Sequence, residues 1–196
     1  DGEEHLLRCF LDYWIQNFPD ILTGWNVELY DVPYICGRLE RLFGEKEMKM
    51  MSPWNIVYDE EIEIKGRKNK IYNVYGINVL DYMDLYKKFT YTNQESYRLD
   101  HIANVELGQR KLDHSEHENF KAFYTNDWQK FIDYNIIDVE LVLRLEEKMK
   151  LIELAVALAY DAKVNIKDVY YQVRMWDTLI YNFLKKKGIV VPPAKR

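Results

Sequence analysis

Ile21-Leu22-Thr23-Gly24-Trp25-Asn26-Val27-Glu28-Leu29-Tyr30-Asp31 is the stretch on which the fold of this 196-residue chain turns. The apolar run 21–25 follows a Pro19-Asp20 turn and stops at polar Asn26, a pattern that predicts a short buried strand. Residues 26–31 then form a strand-to-helix junction. The helix beyond it carries Ile35, Leu39, Leu42 and Phe43, tolerates Pro33 in its first turn and stops at Gly44. Open α/β sheets present their ligands at the carboxyl ends of strands, which is where this junction puts the Asp31 carboxylate. Two readings are open to Asp31: a cap on the following helix, or a ligand for a cation.

Upstream, residues 3–18 place Leu6, Leu7, Phe10, Leu11, Trp14 and Phe18 at helical spacing, with Pro19 as the stop. Asp1 and Glu4 read as a capping box for that helix. Downstream, residues 54–75 alternate apolar and polar about Lys65-Gly66-Arg67-Lys68-Asn69-Lys70, which predicts a long hairpin with a basic tip. Residues 76–80 read as a further strand, and 96–103 lead into a helix. From 126 to 162 there is neither Gly nor Pro. Phe131, Ile132, Ile136, Val139, Leu143, Met149, Ile152, Leu154 and Leu158 keep a helical rhythm there, so one long helix or two abutting ones follow. A last helix over about 168–187 is expected to turn Val173, Trp176, Ile180 and Leu184 inward, and 191–196 read as a chain leaving the domain.

Composition bounds the function. With 48% hydrophobic residues and only 8 Gly and 5 Pro, the chain is no linker or disordered tail. A net charge of -5 excludes nucleic-acid binding by bulk charge, so any polyanion must meet local basic patches. Cys9 and Cys36 lie far apart and in no metal or redox spacing, which fits a reducing compartment. No apolar run is long enough to cross a bilayer, and a cytoplasmic place with no membrane partner is expected.

Three further groups carry candidate chemistry. Tyr134 and Asp138 are four apart on one helix face, and of the 16 Tyr only Tyr134 has an Asp at that spacing. The bland reading is a half-buried Tyr beside a solvated Asp. Arg67, Lys68 and Lys70, with Tyr58, Tyr72 and Tyr75 along the arms, offer charge for phosphates and rings for bases, or else a solubilising turn. His114 and His117 sit beside Asp113, Glu116 and Glu118, but no second ligand cluster with suitable spacing exists, so a polar loop is read there.

Gly24-Trp25-Asn26-Val27-x-x-Tyr30-Asp31 and Tyr134-Asn135-Ile136-Ile137-Asp138-Val139 together resemble the second and third exonuclease motifs of family B DNA polymerases. Residues 79–89, Ser96-Tyr97-x-Leu99-Asp100 and Trp176-Asp177-x-x-Ile180 resemble the T-even bacteriophage type, so the likeness spans nearly the whole chain. It implies an α/β, ribonuclease H-like exonuclease fold, helix-rich, with an inserted β-hairpin. On that basis residues 1–162 are a partial 3'-5' exonuclease domain, and 163–196 a helical connection toward the polymerase palm. The implied activity is proofreading within a replicative DNA-directed DNA polymerase: hydrolysis of the single-stranded primer 3' end with two Mg2+ or Mn2+ ions. Carried over by motif, Asp31 and Asp138 match metal ligands, Tyr134 a water-orienting hydroxyl and Asn26 a residue beside the bound strand end. Lys111 matches a lysine near the scissile phosphate, or is an exposed surface lysine. The hairpin matches one that helps separate primer end from template.

The first exonuclease motif, an Asp-x-Glu on an early strand, is missing. Asp1-Gly2-Glu3 has the letters but no apolar strand before it. The chain alone is therefore expected to hold metal weakly or at a single site and to hydrolyse DNA poorly or not at all. Lacking the early strands, it is also expected to need a partner surface, such as a second copy. In the longer protein the expected partners are primer-template DNA, the rest of the polymerase chain and a sliding clamp, in the bacterial host cytoplasm. The rival reading is a non-catalytic DNA-binding, strand-partitioning or interaction module.

Overall fold

In chain order the computed structural model carries α1 (Glu3–Gln16), β1 (Ile21–Gly24), α2 (Asp31–Phe43), α3 (Glu45–Lys49), β2 (Val57–Ile64), β3 (Arg67–Val74) and β4 (Asn78–Asp81). Next come α4 (Tyr82–Phe89), α5 (Leu99–Leu107), α6 (Phe120–Asn126), α7 (Trp128–Met149) and α8 (Leu151–Ala162). A 3-10 helix (Ile166–Tyr170) and α9 (Gln172–Lys186) close the sequence of elements. The structure describes residues 2–64, 66–108 and 120–190, so Asp1, Lys111, His114 and His117 lie outside the described residues. Two compact units emerge, one from the described residues within Asp1–Asp81 and Glu153–Arg196, the other Tyr82–Ile152.

In the first unit β1 pairs in parallel with β4, from Ile21 opposite Asn78 to Gly24 opposite Asp81. Parallel pairing brings both carboxyl ends to one edge, so the junction after β1 and the last residue of β4 are neighbours. The Thr23 hydroxyl reinforces the pair by donating to the Leu80 carbonyl at 2.7 Å. One apolar cluster holds Leu11 of α1, Val32, Cys36 and Leu39 of α2, and Val79 of β4. Trp14 packs against it and donates its indole N–H to the Met51 carbonyl at 2.8 Å, satisfying a polar atom that half-burial would otherwise strand.

β2 and β3 form the expected antiparallel hairpin, in register from Val57 opposite Val74 to Ile64 opposite Arg67, with left-handed Gly66 at the tip. Its base is core: Val57, Ile71, Tyr72 and Val74 are buried. Buried Ser52 ties that base down, donating to the Tyr75 carbonyl at 2.7 Å and accepting the Trp54 and Ile56 N–H groups at 3.1 Å each. Gly76 is required where it stands. Its φ is +90°, and a Cβ there would lie 2.5 Å from Pro53 Cγ.

In the second unit α4 buries Tyr82, Leu85 and Tyr86, and α5 buries Leu99, Ile102 and Ala103. The Asp127 side chain caps α7 by accepting the Lys130 N–H at 3.4 Å. Lys150, at φ +57°, ends α7 in the left-handed conformation, so the Gly- and Pro-free run is two abutting helices. Glu146 accepts both the Ile152 N–H and the Tyr82 hydroxyl at 3.1 Å, a tie that periodicity cannot anticipate.

Four expectations need correction. Asp31 is the first residue of α2, not its cap; Tyr30 holds the cap position and supplies no side-chain bond. On α7 the stripe Ile136, Val139 and Leu143 is exposed, while Leu141, Val142 and Leu145 are buried. The helix is apolar on more than one face, so spacing alone does not select the packed one. On α9, Val173 and Trp176 are 73% and 57% exposed, Ile180 is exposed as well, and the helix buries no residue. The N-cap position of α1 belongs to Gly2, which makes no side-chain cap bond. Both cysteines are free, Cys9 exposed and Cys36 buried. Among the described residues no helix is long and apolar enough to cross a membrane.

Candidate active site

The loop between β1 and α2 is built by its own short-range bonds. Asn26 takes φ +65°, a left-handed turn that Asn tolerates better than most residues. The chain then curls once: the Tyr30 N–H reaches the Asn26 carbonyl at 3.1 Å, and the Val32 N–H the Val27 carbonyl at 3.0 Å. Val27, 5% exposed, is the apolar pin of the turn. Gly24 leaves room for it, since a Cβ there would meet Val27 Cβ at 3.2 Å.

Long-range bonds fix the loop in place. Asp81, 2% exposed, turns one carboxylate oxygen to the Asn26 N–H at 3.0 Å and the other to the Glu28 N–H at 3.2 Å. Lys167 pairs with the Glu28 carboxylate at 3.1 Å. The Tyr170 hydroxyl donates to the Asp81 carbonyl at 3.2 Å. Thus one strand end and the 3-10 helix clasp the loop from sequence positions more than fifty residues away.

Asp31 emerges from this clasp. The residue is exposed as a whole, yet chain atoms thin the water about its carboxyl, and this desolvation lifts its pKa above the ordinary carboxylate value. A hydrogen bond from its own backbone N–H pulls the other way. A carboxylate that has lost hydration gains from a nearby cation, so the chemistry of Asp31 suits a metal ligand.

Asn26 and Asp31 belong to the first unit, Tyr134 and Asp138 to the second. Tyr134 and Asp138 lie one turn apart on α7, in line with the buried positions Leu141 and Leu145 rather than with the exposed stripe. Tyr134 is half-buried, its ring edge-on to fully buried Phe123 with centroids 5.8 Å apart and planes at 90°. Phe131 meets the same Phe123 edge-on at 5.6 Å. The ring is therefore held by packing, which orients its hydroxyl without a long search of rotamers. Asp138 is half-buried. Among the described residues, no group of three or more His, Cys, Asp or Glu is gathered so as to hold a metal ion.

At the hairpin tip the charges are largely matched by the opposite arm. Lys68 pairs with Glu61 at 3.2 Å, and Lys70 with Asp59 at 3.3 Å and Glu40 at 4.0 Å. The Lys70 pKa is raised, first through its contact with the Tyr72 hydroxyl and further by Asp59. Arg67 has no ion pair among the described residues. Tyr58 and Tyr75 are exposed and edge-to-face at 5.8 Å, with exposed Trp54 at the hairpin base.

Sequence reasoning missed Asp81, Lys167 and Tyr170. The signal for Asp81 was present, because Val79-Leu80-Asp81 ends an apolar strand with a carboxylate, as the β1 stretch does. For Lys167 and Tyr170 there was none, since nothing local says which loop they reach.

A family model described as DNA polymerase family B, exonuclease domain, matches residues 1–102. Over 195 residues the chain is 40% identical to the DNA-directed DNA polymerase of Escherichia phage RB69, covering 100% of this chain and 21% of that protein. It is 38% identical over 192 residues to the DNA-directed DNA polymerase of Enterobacteria phage T4, covering 98% of the chain and 21% of that protein. A DNA polymerase of Choristoneura fumiferana nuclear polyhedrosis virus is 28% identical over 159 residues, with 77% of this chain and 15% of that protein covered. The chain thus spans about a fifth of the length of the phage relatives that it matches.

Proposed function

The chain belongs to the exonuclease-domain family of family B DNA polymerases, and from that premise we propose that it serves as the 3'-5' proofreading segment of a phage-type replicative polymerase. The observation that carries this reading is the junction after β1. A parallel strand pair delivers Asn26 and Asp31 to the sheet edge in a chain that resembles the phage polymerases along its whole length. The substrate is the single-stranded 3' end of DNA. The ribonuclease H-like fold that the reading implies needs further strands beside β1, whose four residues are all only half-buried.

Magnesium or manganese, when bound, supplies an acidified water and charge stabilisation at the leaving oxygen of the phosphodiester. Asp31 and Asp138 are the carboxylates of this chain that would hold such ions. Tyr134, its ring held against Phe123, orients the attacking water through its hydroxyl. Asn26 stands beside the strand end, and Lys111 balances charge at the scissile phosphate. At the hairpin the exposed rings of Trp54, Tyr58 and Tyr75 contribute more than charge, because Lys68 and Lys70 are already matched by acids. Residues 163–196 lead toward the polymerase palm. The longer protein works with a sliding clamp in the host cytoplasm, and the isolated chain covers its open sheet edge by self-association.

The test uses a full-length polymerase carrying this segment. Asp138→Ala should abolish manganese-dependent digestion of a single-stranded 3' end while primer extension continues. Undiminished digestion would remove Asp138 from the site, and loss of both activities would point to a structural role.

A further inference from the structure

Asp81 is a buried carboxylate that the proposed chemistry does not use, placed at the sheet edge from which the loop 25–31 departs. Strand ends rarely bury an acid without a reason, since desolvating a carboxylate is costly unless it is well bonded. Here its two oxygens each accept an N–H from the loop, Asn26 at 3.0 Å and Glu28 at 3.2 Å. Those two amides flank Val27, so the carboxylate holds the curl that ends in Asp31.

We infer that Asp81 is the positioning residue of the loop, setting where Asn26 and Asp31 stand, with Lys167 and Tyr170 as its outer supports. The inference rests on the reading of Asp31 as a metal ligand. Asp81 itself is not a ligand: it is 2% exposed, and both oxygens are aimed at backbone amides. A carboxylate suits the task better than an amide. Ionised, it is an acceptor at both oxygens, whereas the NH2 group of an Asn would face one of the two N–H donors head-on. The supports act on the same loop from the side. Lys167 restrains the Glu28 side chain at 3.1 Å, and Tyr170 restrains Asp81 through its carbonyl at 3.2 Å. All these contacts lie within the first unit. The chain segment just before α9 therefore helps to hold the loop that presents Asp31, although more than 130 residues separate Lys167 from it in sequence.

The experiment measures two things on the 196-residue chain: amide hydrogen exchange at Asn26 and Glu28 by NMR, and manganese affinity by calorimetric titration. In Asp81→Asn, exchange at one or both amides should accelerate about tenfold or more, the loss of a charge-assisted hydrogen bond. Manganese affinity should fall by a similar factor, with the helical circular dichroism unchanged. Should Asp81→Asn fail to fold, Tyr170→Phe, which deletes one hydroxyl, carries the test with a smaller rise in exchange at the same amides. Exchange and manganese affinity that both stay at wild-type values in whichever variant folds would overturn the inference. Asp31→Ala separates the two layers. If it leaves manganese binding intact, the ligand reading of Asp31 fails, while the exchange data still decide whether Asp81 holds the loop.

Discussion

The loop after β1 and the tip of the β2–β3 hairpin both read from the sequence as places to meet DNA, yet they are held in opposite ways. The loop is fixed by Asp81, Lys167 and Tyr170, all distant in sequence. The hairpin tip is balanced largely by its own arms, Lys68 against Glu61 and Lys70 against Asp59. A loop held by distant anchors has a single pose and fails when an anchor goes. A tip held by exposed local ion pairs loses little with any one of them, because such pairs are screened and cost side-chain entropy to form. Much of the charge is also matched within the hairpin, at Lys68 and Lys70, while the rings of Tyr58 and Tyr75 stay exposed beside it.

The sharpest way to break this contrast is to cut volume from each region. Leu80, fully buried beside the loop anchor, should cost about 2–5 kcal/mol on replacement by alanine. Ile64→Ala, next to the hairpin tip, should cost under about 1 kcal/mol, since the side chain is only half-buried. Urea unfolding of both variants checks the ordering, and equal losses would erase the distinction. Gly76→Ala probes the hairpin base rather than its tip. The positive φ and the 2.5 Å approach to Pro53 predict a loss of about 1–3 kcal/mol, visible as a lower melting temperature.

A pH series on Asp31 tests whether the loop carries a carboxylate that the fold alone does not favour. The unfolded chain releases this proton at the ordinary carboxylate pKa, while the folded chain, with its Asp31 pKa raised by desolvation, releases it only at higher pH. Between those two values the folded state binds more protons, so stability falls as pH rises through the window and stays lower above it. Asp31→Asn should therefore melt at or above the wild type at pH 7, with the gap closing below the ordinary carboxylate range. A wild type more stable than Asp31→Asn at pH 7 would contradict this. The smallest effect belongs to Lys68→Ala, which should change stability by no more than about 0.5 kcal/mol and respond weakly to salt.

Much of the site was legible in advance where its determinants are local. The apolar run 21–25 and the helix after Asp31 are read from neighbouring residues, and the strand and helix stand within a residue of where that reading puts them; the left-handed turn at Asn26 inside the junction was not read in advance. The hairpin was legible from its apolar and polar arms about residues 65–70, but not its register, which pairs Ile64 with Arg67 and so draws residues 67–70 into β3. The packed face of α7 was not legible, because Ile136, Val139 and Leu143 are as apolar as the residues that are actually buried. Nor was the exposure of Val173, Trp176 and Ile180, since an amphipathic stripe states that a helix has a face to cover and not what covers it.

By itself the sequence determined the alternation of elements, the junction that carries Asn26 and Asp31, and the spacing that puts Tyr134 and Asp138 one turn apart. These depend on backbone periodicity and on turn residues, which act over a few positions. Only the tertiary structure decided that β1 and β4 share an edge, that Asp81 turns inward to hold the loop, and that Lys167 and Tyr170 reach the same place. Those contacts are selected by packing across long loops, where a buried carboxylate is stable only if donors from elsewhere in the chain arrive to meet it.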